Sequence, residues 1–75
     1  MSEAPIIVHP PSPSGGRRVT VQARGQEVGY LGLAHSDHEL VVFLEGAGLL
    51  DPERILDDPH WVSWRGGRPH EYRAA

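Results

Sequence analysis

The residues best suited to recognition chemistry lie near the C-terminus, in HWVSWRGGRPHEYR over positions 60–73. Trp61, Trp64 and Tyr72 are interleaved there with His60, Arg65, Arg68, His70 and Arg73. Aromatic faces stack on bases or fill pockets on a protein partner, and guanidinium groups hold phosphates or carboxylates, so the mixture points to binding. Gly66-Gly67 splits the stretch into two strand-like runs and suits the positive φ angles of a type I′ turn. In that hairpin Arg65 faces Arg68, Ser63 faces His70 and Trp61 faces Tyr72, with Val62, Trp64 and Pro69 on the other side. Like charges directly opposite one another are unfavourable unless an anion lies between them. The turn is therefore expected to meet an acidic group, either the chain's own Asp57-Asp58 or one on a ligand. The binding residues expected are Trp61, Trp64, Arg65, Arg68, His70 and Tyr72; the competing use of the two Trp is as core of a small domain.

Other constellations carry less. His35, Asp37 and His38 have side chains suited to Zn or Ni, but His35 precedes the helix start, the two imidazoles are not one helical turn apart, and no third ligand is close in sequence. Ser36, Asp37 and His38 are adjacent, whereas a nucleophile and its base normally meet across a fold. No phosphate loop, nucleophile elbow or dinucleotide turn is present. No catalytic residue, metal or cofactor is expected, and the chain is read as non-enzymatic.

Elements must hold these residues in place, and the best marked is a helix in SDHELVVFLEGAGL. Ser36 is a good N-cap and Glu39, three residues on, is placed to reach back to the Ser36 NH as a capping box. Leu40, Phe43, Leu44 and Ala47 form one apolar stripe. Gly48 suits a left-handed stop, with Leu49 folding back on Leu44. Before it, Val19, Val21 and Ala23 alternate with polar residues, and Val28 and Tyr30 continue the same face, which predicts a hairpin. Gly25-Gln26 as the loop sets Arg24 opposite Glu27, and Arg24-Gly25 is the alternative register. Gly29 and Gly32 mark a bulge or a close helix approach. After Leu50, Asp51-Pro52 opens a short second helix over 52–57, ended by Asp58-Pro59.

The 75 residues make one domain of marginal size, with no cysteine for disulfides or a thiolate zinc site. The start MSEAPIIVHPP has neither a basic n-region nor a long apolar run, so no signal peptide or membrane span is expected and the protein is read as cytoplasmic. Seven Arg, no Lys and no Asn beside many Gly and Pro fit a GC-rich bacterial genome. The net charge of −3 is uneven. Residues 37–58 carry seven acids against Arg54, and residues 59–75 carry three Arg against Glu71. Such asymmetry guides association with a charged partner or with a second copy.

Residues 1–17 contain PPSPSGG and read as a disordered Pro/Gly-rich tail, in which Ile6-Ile7-Val8 is a sticky point able to add to a sheet edge. Residues 18–75 then form a single small α+β domain: a small antiparallel sheet from two β-hairpins flanking two helices, in the order β-β-α-α-β-β. The expected function is a small binding or regulatory module that engages a protein partner, or itself as a weak homodimer, through the C-terminal aromatic and Arg hairpin. Single-stranded nucleic acid is the alternative ligand. Overall acidity weighs against it, because phosphate contacts dominate such affinity.

Overall fold

Period-two alternation from Arg17 to Ala34 folds back on itself as a hairpin of Arg17–Ala23 and Gln26–Ala34, and these become the second and third of four strands once the N-terminal segment is placed. In chain order the computed structural model, which describes residues 4–73, has β1 Ile6–Pro11, β2 Arg17–Ala23, β3 Gln26–Ala34, α1 Asp37–Gly46, a 3-10 turn Pro52–Arg54 and β4 Val62–Trp64. The β2–β3 loop is Arg24-Gly25, with φ of 55° and 77° and Ala23 opposite Gln26. Two positive φ angles make the turn whose twist matches the strands. This corrects the Gly25-Gln26 register: Glu27 faces Gln22, not Arg24. The ladder shifts twice, which leaves Val28 and Leu31 of β3 in bulges. Gly32 follows the second bulge at φ 152°, and a Cβ there would sit 2.6 Å from the Phe43 ring. The glycine is thus needed where helix and strand come closest.

Ser36 caps α1 as expected, its hydroxyl accepting from the Glu39 NH at 3.2 Å. The reciprocal bond differs. Glu39 accepts from the His35 NH at 2.8 Å, one residue ahead of the cap, and from the His35 ring. At the other end Leu49 NH donates to Leu44 O and Gly48 NH to Glu45 O, the paired bonds of a Schellman ending, with Gly48 at φ 92°. Leu40 and Leu44 are fully buried, each contributing about 1.5–3 kcal/mol. Phe43 is half-buried and Ala47 is exposed, so the buried stripe is shorter than expected.

The sheet overturns the expected architecture. Its order is β3-β2-β1-β4, with β1 antiparallel to β2 and parallel to β4, so it is mixed, not antiparallel. Residues 6–11, read as part of a disordered tail, form an interior strand in which Ile6, Ile7 and Val8 are all buried. All three are buried although successive residues point to opposite sides, so the run shows no alternation. The prolines fall where its pairing with β2 becomes irregular, between Val8 and Pro11. The expected C-terminal hairpin does not form either. Ile6 pairs with Val62 and Val8 with Trp64, and among the described residues beyond Gly66-Gly67 no strand returns to pair with β4. Pro69 lacks an NH for such a ladder, while the carbonyls around it have another partner, described below. The expected second helix shrinks to the 3-10 turn, where Asp51 has φ 48° and makes no side-chain cap bond. One helix on a four-stranded sheet therefore replaces two helices between two hairpins.

Strand alternation assigns the two faces. Ile6, Val8, Val19 and Val62 join Leu40, Leu44, Leu56 and Tyr72 in the core under α1. Ile7, His9, Arg18, Thr20 and Ser63 project from the opposite face, which α1 does not cover. No helix among the described residues is long and apolar enough to cross a membrane.

Candidate functional site

The residues expected to bind separate into a buried clasp and an exposed surface. The clasp is organised by Arg17, which begins β2 and has no solvent exposure. Its Nε donates to His9 O at 2.7 Å, Nη1 to Arg68 O and Glu71 O at 2.9 Å each, and Nη2 to Arg65 O at 2.6 Å. The guanidinium carbon lies 5.2 Å from the centre of the Trp64 ring. Burial lowers the Arg17 pKa, with the nearby Tyr72 and Glu71 acting in the other direction. Four carbonyls and an aromatic face hold this cation, and their fixed geometry suits a planar fork of donors.

Around Trp64 the other side chains complete the clasp. Its indole NH donates to Leu56 O at 2.8 Å, Tyr72 meets it edge-on at 6.0 Å between ring centres, and His70 lies 5.0 Å away. The Tyr72 hydroxyl donates to Asp37 Oδ1 at 2.7 Å. Burial, reinforced by the Asp37 carboxylate, raises the phenol well above its ordinary range. The His70 ring nitrogens lie 2.6 Å from Asp37 Oδ2 and 2.5 Å from Asp57 Oδ1. Hydrogen bonding to Asp57 is the main cause that raises the His70 pKa, with Asp37 adding to it against some burial. An acidic group does meet this segment at Asp57, then, but its partner is His70 and not the Arg65/Arg68 pair.

Trp64, His70 and Tyr72 thus take part in the clasp, and Arg68 contributes its carbonyl to it while its side chain is exposed. Tyr72 does not face Trp61, and Arg65 does not face Arg68 across a ladder. Arg65 belongs to the open face of the sheet, where its Nε approaches Ser63 Oγ at 3.5 Å. On the same face Arg18 lies 5.9 Å from the Tyr30 ring centre and 4.0 Å from Glu27. His9 Nε2 and Thr20 Oγ1 are 2.8 Å apart at its middle. Burial, then Arg18, holds the His9 pKa down, with a further contribution from Arg65. Tyr30 is 57% exposed and Trp61, just ahead of β4, 41% exposed.

Sequence reasoning placed Trp61 and Arg65 at a surface but missed Arg18, Tyr30 and His9. Period two from Arg18 through Thr20 was the available signal, and it became useful only with β1 in the sheet. The acidic stretch 37–58 forms the layer on the covered face, so the sheet separates it from Arg18 and Arg65. Among the described residues no three His, Asp or Glu side chains are grouped to hold a metal ion, and His35 pairs with Glu39. No family model matches the chain, and no curated protein and no solved structure matches it.

Proposed function

We propose that this chain is a non-enzymatic binding module that takes an acidic segment of a protein partner on the open face of its sheet. The observation that carries the reading is that Arg18, Tyr30 and Arg65 all project from the one sheet face with no helix over it, Arg18 beside Tyr30 and Arg65 at the opposite edge. Tyr, Trp and Arg are the side chains that supply most binding energy at protein interfaces. Two guanidinium groups, one of them near Glu27, are suited to a few carboxylates; a nucleic acid backbone calls for a longer run of cations to gain counterion-release affinity. The acidic layer of a second copy offers the same chemistry as an acidic partner, which gives weak head-to-tail self-association.

Titration of the 15N-labelled chain with a glutamate-rich peptide tests the reading. Shifts are expected at Thr20, Tyr30 and Ser63, and they should vanish when Arg18 and Arg65 are both changed to Ser. Shifts that follow protein concentration without peptide would identify the second copy as the occupant. Response to an oligothymidylate and not to the peptide, with steep salt dependence, would replace the protein reading by the nucleic acid one. A face that responds to neither ligand nor concentration would end the proposal.

A further inference from the structure

We propose that His70 is a proton-operated pin: as an imidazolium it closes the gap between the 52–57 turn and the C-terminal segment, and on losing its proton it withdraws and uncovers Trp64. The argument starts from donors and acceptors. A carboxylate only accepts hydrogen bonds, and both ring nitrogens of His70 face one, Nδ1 at Asp37 Oδ2 and Nε2 at Asp57 Oδ1. Both must donate, so the arrangement requires the doubly protonated ring. A neutral imidazole has one donor and one lone pair, and in either tautomer the lone pair would point at a carboxylate.

Three separate parts of the chain meet at this ring. Asp37 opens α1, Asp57 follows the 3-10 turn, and His70 sits in the segment after β4. His70 has φ of 70°, a left-handed conformation that a non-glycine residue holds only when its surroundings impose it. Its two carboxylate bonds and its contact with the Trp64 ring supply that constraint. The charged and titratable groups facing the ring are Asp37, Asp57, the Tyr72 hydroxyl that shares Asp37, and Arg17 on the Trp64 ring; His35, Glu71 and Arg73 line the adjoining concavity.

Neutralisation leaves the rest of the clasp intact. Arg17 holds the carbonyls of Arg65, Arg68 and Glu71, Gly16 NH holds Tyr72 O, and Tyr72 stays buried. The movement is therefore local to the His70 ring and its backbone. Beside it lies a concavity of about 440 Å³ between the start of α1 and residues 70–73, and a second, of about 410 Å³, is lined by Asp57, Pro59, Val62, Ser63, Trp64 and Pro69. Withdrawal of the ring uncovers more of the Trp64 ring, which already lines this second concavity. His70 titrates above the ordinary histidine value, so its bonds contribute fully below about pH 6.5 and are lost as pH rises through its own higher value.

The test is an NMR pH titration of the His70 ring nitrogens on the full chain, run beside acrylamide quenching of Trp64 in a Trp61→Phe background. Two protonated ring nitrogens are expected at pH 6, with a midpoint above about 6.5 and an increase in Trp64 quenching at that same midpoint. Asp57→Asn, a change at an exposed side chain, should lower the midpoint by about 1 pH unit and carry the quenching step with it. His70→Gln should abolish the step. A midpoint at or below the ordinary value would overturn the proposal, as would quenching that stays flat through the midpoint or a step that survives in His70→Gln.

Discussion

Replacing Arg17 by Met keeps much of the apolar length of the side chain and removes every N–H donor, so it isolates the role of the guanidinium. Four bonds are lost, to the carbonyls of His9, Arg65, Arg68 and Glu71 at 2.6 to 2.9 Å. At about 1.5–3 kcal/mol for a hydrogen bond to a charged group, the gross loss is about 6–12 kcal/mol. Much of it is recovered, because carbonyls on residues 65–71 regain water once that segment loosens, and because Met no longer carries a charge that must be kept from solvent. Breaking a buried charged network by removing one partner costs about 3–5 kcal/mol, and about 4 kcal/mol is the expected effect here. A domain of 75 residues has about 4–11 kcal/mol of stability in total, so the variant should keep about 0–7 kcal/mol and lose a third or more of what the parent has. Arg17→Lys keeps the charge but cannot span four carbonyls with one ammonium group, and it should lose about 2 kcal/mol. Urea unfolding followed by Trp fluorescence measures both. A Met variant within about 1 kcal/mol of the parent would refute the reasoning, because the C-terminal segment would then not depend on Arg17.

Other perturbations address separate parts of the fold. Gly32→Ala places a methyl group 2.6 Å from the Phe43 ring at a φ of 152° and should cost about 1–3 kcal/mol by thermal or urea unfolding; no loss would mean that α1 does not approach β3 there. Ser36→Ala removes the hydroxyl that accepts the Glu39 NH and should cost about 1 kcal/mol, whereas Ser36→Asp should restore it. His9 is held below its ordinary pKa by burial and then by Arg18, so the unfolded chain takes up the proton first as pH falls below about 6.5. Stability should therefore decline on acidification until His9 is protonated in the folded state too, and His9→Gln should flatten that decline; identical slopes for parent and variant would contradict the assignment.

The helix and the first hairpin were legible because their signals are local. Ser36 and Gly48 mark the ends of α1 within a few residues of the groups they satisfy, and the turn between β2 and β3 needs only Gly25 and its neighbour. Gly32 announced a close approach before Phe43 was known to make it. The N-terminal strand gave no such signal. Three apolar residues followed by Pro10, Pro11, Pro13 and two glycines have the composition of a linker, and although one partner, β2, follows closely, the other, Val62–Trp64, which makes β1 an interior strand, lies at the other end of the chain. Closing the Gly66-Gly67 turn as a hairpin costs little loop entropy, so local reasoning favours it. In the fold, burial of Ile6 and Val8 and the four bonds of Arg17 outweigh that advantage.

The same non-local placement explains the divided site. Period two at residues 60–73 put Trp64 and Tyr72 on hairpin faces, whereas the fold buries Tyr72 in the core and packs a half-buried Trp64 against it, beside a buried cation. Arg17 offered no sequence clue, since an arginine at the start of a strand ordinarily reaches solvent. Trp61 and Arg65 kept the surface role expected of them only in position; the residues around them, Arg18, Tyr30 and His9, come from strands that the expected hairpin would not have brought alongside.

Proton exchange and cross-strand contacts at β1 test the account most directly, because both the open face and the clasp depend on this strand lying between β2 and β4. Ile6 NH donates to Trp61 O at 3.1 Å and Arg65 NH to Val8 O at 2.9 Å. These two amides should exchange only on global unfolding, with NOEs linking Ile6 to Val62 and Val8 to Trp64. Exchange at the rate of a free peptide, with NOEs joining Trp61 to Tyr72 across Gly66-Gly67, would contradict the fold and the function built on it.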